Sequence, residues 1–176
     1  KEIKILKMKK INFTLSILLI FICTTITISC NKDETQTMEE KVEIALAGFA
    51  EDLTNNPPSI DDVSERVKQY MLANINDFYG STVALIDTSG LAIYSPYWFK
   101  SNDALDEVNL ADTSYHINTQ EWLRLPIDTG EAIWTDPYFD EGGGNIWMIT
   151  RSVPVYIDGK IAAVATTDLE VIPLDD

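Results

Sequence analysis

Histidine, cysteine and positive charge are the scarce commodities of this sequence: its 176 residues carry one histidine, two cysteines, and 13 Lys and Arg against 28 Asp and Glu. Each scarcity excludes a class of protein. Two cysteines cannot build a disulfide framework. A lone His116, beside Tyr115, has no partner for histidine-based catalysis, and no Gly-x-Ser-x-Gly, His-Glu-x-x-His or Walker sequence occurs. Glu141-Gly142-Gly143-Gly144-Asn145 lacks the Lys and Ser/Thr that complete a phosphate loop and reads as a flexible hairpin. The acidic residues Asp136, Asp140 and Glu141 lack the spacing of an EF-hand loop. Nucleic acid is a poor partner, because phosphate contacts need clustered Lys and Arg. No enzymatic activity, metal or cofactor is therefore expected.

What the sequence does have begins at Met8. Lys1 to Lys7 read as upstream read-through, and residues 8–29 as a signal peptide: Lys9 and Lys10, an apolar run from Ile11 to Ile28, then the small residue Ser29 before Cys30. A retained transmembrane anchor is the competing reading, since an apolar run of roughly 18 residues just spans a bilayer. Four threonines and a serine dilute the run and favour cleavage. Thr27-Ile28-Ser29-Cys30 resembles the bacterial lipobox, with Thr27 where Leu is usual, which makes Cys30 the expected lipidation site. Cys23 follows Ile22, lacks the small residue and falls in the discarded segment. Each buried acyl methylene contributes about 0.8 kcal/mol, so two or three chains anchor stably. Residues 30–38 form a polar tether. Asn31-Lys32-Asp33-Glu34 is similar to outer-membrane and surface sorting signals, and is equally a solvated linker. Removing five lysines and Glu2 with the leader leaves 8 basic against 27 acidic residues, a formal net charge of −19. That field favours cations at long range, although acidity also serves solubility.

Residues 39–176 suit one domain. From Thr37 to Leu53, Val42, Leu46, Phe49 and Leu53 recur at three- and four-residue intervals on one helical stripe. Asn55-Asn56-Pro57-Pro58 stops that helix; Ser59 caps a second, with Val63, Val67, Met71 and Ile75 on one face. The period then changes to that of strands. Ser81 to Asp87 and Leu91 to Tyr94 flank Thr88-Ser89-Gly90 as a hairpin. Residues 98–130 read as an irregular, polar connection, with a short helix from Asn118 to Leu123 stopped at Pro126. Such long connections are usually functional. Strands follow over residues 132–135, 146–156 and 160–167, turning at residues 140–145 and 157–160. Helices followed by hairpin-linked strands predict an α+β domain with an antiparallel sheet.

The order of these features resembles a Cache domain, the PAS-like extracellular sensor module of bacterial chemoreceptors and sensor kinases. The likeness is carried by residues 83–90 (Val-Ala-Leu-Ile-Asp-Thr-Ser-Gly), by Glu121-Trp122-Leu123 and by Trp134-Thr135-Asp136-Pro137-Tyr138-Phe139-Asp140. It continues through residues 149–156, Asp158-Gly159-Lys160 and residues 163–169, and covers roughly Glu39 to Leu169. In the double-Cache receptors the ligand lies between the long loop and the sheet. The resemblance implies Tyr115, Trp122, Tyr138, Asp140 and Asp168 as ligand-binding residues. Where the amino-acid receptors have an arginine two residues before the tryptophan, this chain has Gln120, and Leu123 replaces the aromatic that follows.

Without a guanidinium fork, a ligand carboxylate has no bidentate partner. Two carboxylates and three aromatics are left, a composition suited to an ammonium through charge-assisted hydrogen bonds and cation–π attraction. An amine or quaternary ammonium ligand is favoured over an amino acid. Structural readings stand beside these: Trp122, Tyr138 and Tyr115 as aromatics packed under the loop, Asp140 as a turn residue bonding nearby amides, and Asp168 as a surface carboxylate ending a strand. The expected function is an extracytoplasmic sensing lipoprotein that passes its signal to a separate membrane partner or acts as a homodimer. The alternative is a structural or protein-interaction lipoprotein on the same scaffold.

Overall fold

A computed structural model describes residues 36–172 apart from 103 and 113. The signal segment and Cys30 lie outside the described residues. Helix α1 (Met38–Asn55) starts at a capping box in which Glu40 N–H donates to Thr37 Oγ1 and Thr37 N–H to Glu40 Oε2. Its stripe of Val42, Leu46, Ala50 and Leu53 is buried. Phe49, at the stripe's edge, is half-buried and stacks on Tyr70 with ring centroids 4.5 Å apart. Helix α2 (Val63–Ala73) buries Val63, Val67 and Met71. Ser59 opens the turn before it, and Asp62 Oδ1 accepts from both the Ser59 N–H (2.6 Å) and hydroxyl (2.7 Å). Ile75 falls past the end of α2 and is only half-buried, so the helical stripe expected to reach it stops at Met71.

Eight antiparallel strands form the sheet: β1 (Gly80–Ile86), β2 (Ala92–Tyr94), β3 (Pro96–Ser101), β4 (Ala104–Asn109), β5 (Ile133–Trp134), β6 (Tyr138–Phe139), β7 (Trp147–Ile157) and β8 (Lys160–Glu170). Their order is β4-β3-β1-β8-β7-β5, with β2 on β1 and β6 on β7. The β1–β2 hairpin turns as expected, Asp87 Oδ1 accepting from the N–H of Ser89 and of Leu91. The β7–β8 hairpin turns at Asp158 and Gly159, both with positive φ (51° and 76°), the conformation that a two-residue hairpin turn requires.

Helices α1 and α2 cover one face of the sheet. Helix α3 (Glu121–Thr129) and the loop before it cover the other. Side chains alternate in strands, so Val83 and Leu85 of β1 and Ala163 and Ala165 of β8 meet Leu46, Leu53 and Val67. Ala84 and Val164, one residue out of phase, meet Tyr115, Trp122 and Leu123. With both faces covered, β8 is buried from Ala163 through Leu169.

Three expectations are corrected. Residues 98–109 are not irregular: β3 and β4 pair from Pro96↔Asn109 to Ser101↔Ala104, turning through Asn102 in the left-handed region. Strand β4 is a sheet edge on which the adjacent Asp106 and Glu107, on opposite faces, are both exposed, and charge on both faces obscures strand patterning. Pro126 does not stop α3. It removes the one N–H that would bond the Trp122 carbonyl, and the helix runs on to Thr129, where Gly130 (φ 74°) caps it by donating to Pro126 O at 3.0 Å. Strand β8 continues to Glu170, so Asp168 lies inside a central strand, opposite Gly80 and Thr150.

Candidate ligand-binding site

On the α3 side of the sheet, strand parity points Thr82 of β1, Tyr97 of β3, Thr150 of β7, and Thr166 and Asp168 of β8 the same way. The loop before α3 brings Tyr115, α3 brings Trp122, β6 brings Tyr138, and the turn after β6 brings Asp140. All five residues singled out in the sequence fall in this one cluster. Tyr115, Trp122, Asp140 and Asp168 are 7 %, 3 %, 4 % and 3 % exposed, so neither aspartate is a surface carboxylate.

Two hydrogen-bond relays end on the two carboxylates. Trp122 Nε1–H donates to Tyr115 Oη at 3.0 Å, and Tyr115 donates to Asp140 Oδ1 at 2.6 Å. The Gly144 N–H supplies Asp140 Oδ2 at 2.8 Å, so this aspartate serves its glycine turn and faces the cluster at once. A Cβ on Gly143 would lie 2.0 Å from Asp140 Oδ2, so the turn closes on the carboxylate only because glycine stands there. In the second relay, Thr150 Oγ1 donates to Asp168 Oδ1 at 2.7 Å. A hydroxyl has one proton to give, so Tyr138 Oη is the donor in its 2.9 Å bond to Thr150. Asp168 Oδ2 has no side-chain donor among the described residues.

The electrostatics follow from burial. Desolvation raises the carboxyl of Asp168 from 3.8 to about 7, opposed by the Thr150 hydrogen bond, helped by the Asp140 charge and opposed more weakly by the neighbouring Tyr97 hydroxyl. Burial, together with these two carboxylates, raises the phenols of Tyr97, Tyr115 and Tyr138 far above the ordinary tyrosine value, so all three remain protonated donors.

Between the sheet and Trp122, Tyr115 and Tyr138 is a cavity of ≈ 10 Å³, also lined by Asp140 and Asp168. That is close to the least space that holds one water. Trp122 and Tyr138 also line an outer cavity of ≈ 240 Å³ with Glu121 and Asp136, and a shallower one of ≈ 630 Å³ runs past Tyr115 and Asp140. Gln120 borders both outer cavities and donates from Nε2 to Tyr115 O at 2.9 Å. No lysine or arginine lines any of the three among the described residues.

Sequence reasoning missed Thr82, Tyr97, Thr150 and Thr166. Three are threonines on strands, where β-branched residues are common for packing reasons alone, and nothing marks them as facing a cavity. Tyr97 precedes a stretch read as irregular, so its parity was not available. His116 is exposed and belongs to no cluster.

A PAS-like antiparallel sheet, with a polar cluster held between its face and a loop-helix segment, is the architecture of a sensor domain. The chain belongs to the methyl-accepting chemotaxis protein-like family of first PDC sensor domains, whose model matches residues 64–176. Among solved structures it is similar to the extracellular domain of soHK1S-Z6, described as a histidine kinase, at 24% identity and TM-score 0.64, over 76% of this chain and 53% of that one. It is also similar to the ligand-binding domain of the Campylobacter jejuni chemoreceptor Tlp3 in complex with L-valine, at 23% identity and TM-score 0.55, over 72% of this chain and 50% of that one. A third is a protein described as methyl-accepting chemotaxis protein X, at 17% identity and TM-score 0.60, over 76% and 55%. The chain thus spans about half the length of the solved domains it matches. No relative is found among curated protein sequences.

Proposed function

We propose that this sensor domain binds a small cationic ligand, an amine, at the Asp140–Asp168 cluster and passes the binding signal to a separate partner. The observation that carries the reading is an imbalance of charge: two nearly fully buried carboxylates share one cluster, and no lysine or arginine lines the cavities around it among the described residues. Buried charge is tolerated when paired. An ammonium supplies the pair, with the faces of Trp122, Tyr115 and Tyr138 adding cation–π attraction. An α-amino acid, such as the L-valine bound to Tlp3, offers the same ammonium. Its carboxylate would meet Gln120, Glu121 and Asp136 at the rim, with no guanidinium to receive it.

The same reading places the domain in the cell envelope, tethered through a lipid on Cys30 to the outer membrane. The support is the lipobox-like Thr27-Ile28-Ser29-Cys30 after an apolar leader. Metabolic labelling with a fatty-acid analogue, lost on Cys30→Ala, tests it.

A second reading has an observation of its own. The small cavity and the relays among Trp122, Tyr115 and Asp140 also suit a closed polar core that holds no ligand. A thermal-shift titration with amines and amino acids separates the two. The amine reading expects stabilisation by cationic ligands that Asp168→Ala abolishes. No stabilisation, or a clear preference for amino acids, overturns it.

A further inference from the structure

Tyr97 brings to the cluster a fully buried hydroxyl that has no hydrogen-bond partner among the described residues. Its side chain is 2 % exposed. It lies beside Asp168 in a contact that raises the Tyr97 phenol and lowers the Asp168 carboxyl as a hydrogen bond would, although the geometry falls short of one. An unmade hydrogen bond on a buried hydroxyl costs about 1–3 kcal/mol. Such atoms in native proteins call for an explanation. Its position is tightly fixed: a Cβ on Gly80 would meet Tyr97 Oη at 2.2 Å, and the ring stacks on Phe99 with centroids 5.2 Å apart.

Tyr97 lines the ≈ 10 Å³ cavity, as does Asp168. Asp168 Oδ2 has no side-chain donor either, since Thr150 takes Oδ1. Tyr97, with its unpartnered hydroxyl, and Asp168, with one oxygen that no described side chain supplies, therefore border one space of about a water's size. A primary ammonium is that size and carries three N–H donors. A quaternary ammonium has no N–H to give and fills several times the volume. Trp122 and Tyr138, which line this cavity, also line the ≈ 240 Å³ cavity, so the rest of the ligand would lie on the far side of their rings.

We infer that Tyr97 is a ligand-contacting residue that selects a primary ammonium group over a quaternary one, its hydroxyl oxygen and Asp168 Oδ2 each accepting an N–H from the same head. This rests on the amine reading above and narrows it to N–H-bearing amines.

The test is calorimetric titration of the full chain, purified in a nonionic detergent and an amine-free buffer, with ethylammonium chloride and with ethyltrimethylammonium chloride. The wild-type protein is expected to bind ethylammonium more tightly. Tyr97→Phe is expected to weaken ethylammonium by roughly ten- to hundredfold, to leave the quaternary ion's affinity unchanged, and to melt no lower than wild type when unliganded, because the lost hydroxyl had no partner. Equal ethylammonium affinity in wild type and Tyr97→Phe, or a wild-type preference for the quaternary ion, overturns the selection by Tyr97 and leaves the amine reading standing. No binding of either ion to the wild-type protein overturns both.

Discussion

The raised carboxyl of Asp168 makes the stability of the unliganded protein run against the usual direction of pH. Burial, opposed by the Thr150 hydroxyl and helped by the Asp140 charge, lifts it from 3.8 to about 7. Between those two values the folded protein still holds the proton that the unfolded chain has released. The folded state then binds more protons, so stability falls as pH rises from about 4 to about 7, and above that the loss is complete. At 1.36 kcal/mol per unit, roughly three units amount to about 4 kcal/mol, a large share of a typical 5–15 kcal/mol stability. Asp168→Asn keeps an acceptor for Thr150 and removes the titration. In urea unfolding from pH 4 to 8, in citrate and phosphate buffers free of amines, the advantage of the Asn variant over wild type is expected to grow by about 4 kcal/mol. Asp52, Asp62 and Asp87 do not blur this window. Hydrogen bonds, chiefly from Arg66, Ser59 and Ser89 respectively, lower their carboxyls below 3.8. The stability they contribute is present above that value and is lost only as pH falls through their folded values. Parallel curves for wild type and Asp168→Asn would refute the reasoning. An amine that pairs with Asp168 should lower its pKa again, release a proton on binding near pH 6, and flatten the wild-type slope.

Tyr115→Phe strands both Trp122 Nε1 and Asp140 Oδ1 in a buried site and is expected to cost about 2–3 kcal/mol in the same urea assay. Gly143→Ala sets a methyl 2.0 Å from Asp140 Oδ2; the carboxylate must move, with a loss of about 1–3 kcal/mol and weaker ethylammonium binding by calorimetry. Thr37→Ala breaks the capping box of α1 and is expected to cost about 1 kcal/mol, with ligand affinity unchanged because the helix packs on the opposite face of the sheet from the cluster.

The features legible in the sequence are those in which one local pattern decides the outcome. The stripe of Val42, Leu46 and Leu53 has a single period and one face to bury, and Asp158-Gly159 supplies the positive φ that a two-residue turn demands. The β3–β4 hairpin was hidden because an edge strand answers to solvent on both faces: Asp106 and Glu107 are both exposed, and alternation there carries no hydrophobic signal. Pro126 misled because a proline rule based on local geometry ignores the packing of its neighbours Trp122 and Leu123, which are buried and hold α3 to the sheet. The site was legible only through the resemblance. Its five residues span 115 to 168 with no spacing of their own, and the residue that completes the cavity, Tyr97, comes from a strand that had not been recognised.

The sheet explains how one chain carries both an ordinary core and a buried polar site. Residues of β8 alternate between them: Ala163 and Ala165 face Leu46 and Val67, while Val164, Thr166 and Asp168 face the ligand side. Thr167, on the helix side, bonds Tyr70 of α2 at 2.8 Å, and Thr166 borders the cavity. The apolar face, where buried side chains such as Leu46, Leu53 and Val67 each contribute about 1.5–3 kcal/mol, supplies the stability that lets the other face hold two carboxylates and an unpartnered hydroxyl out of water. Substitutions at Ala163 or Ala165 therefore act on stability, and substitutions at Thr166 or Asp168 on binding, although the two sets are adjacent in sequence. A one-residue slip of β8 would exchange the two faces. The β7–β8 register, set by the Asp158-Gly159 turn together with the one-residue shift between Val155 and Tyr156, is accordingly as much a part of the binding site as Asp168 itself.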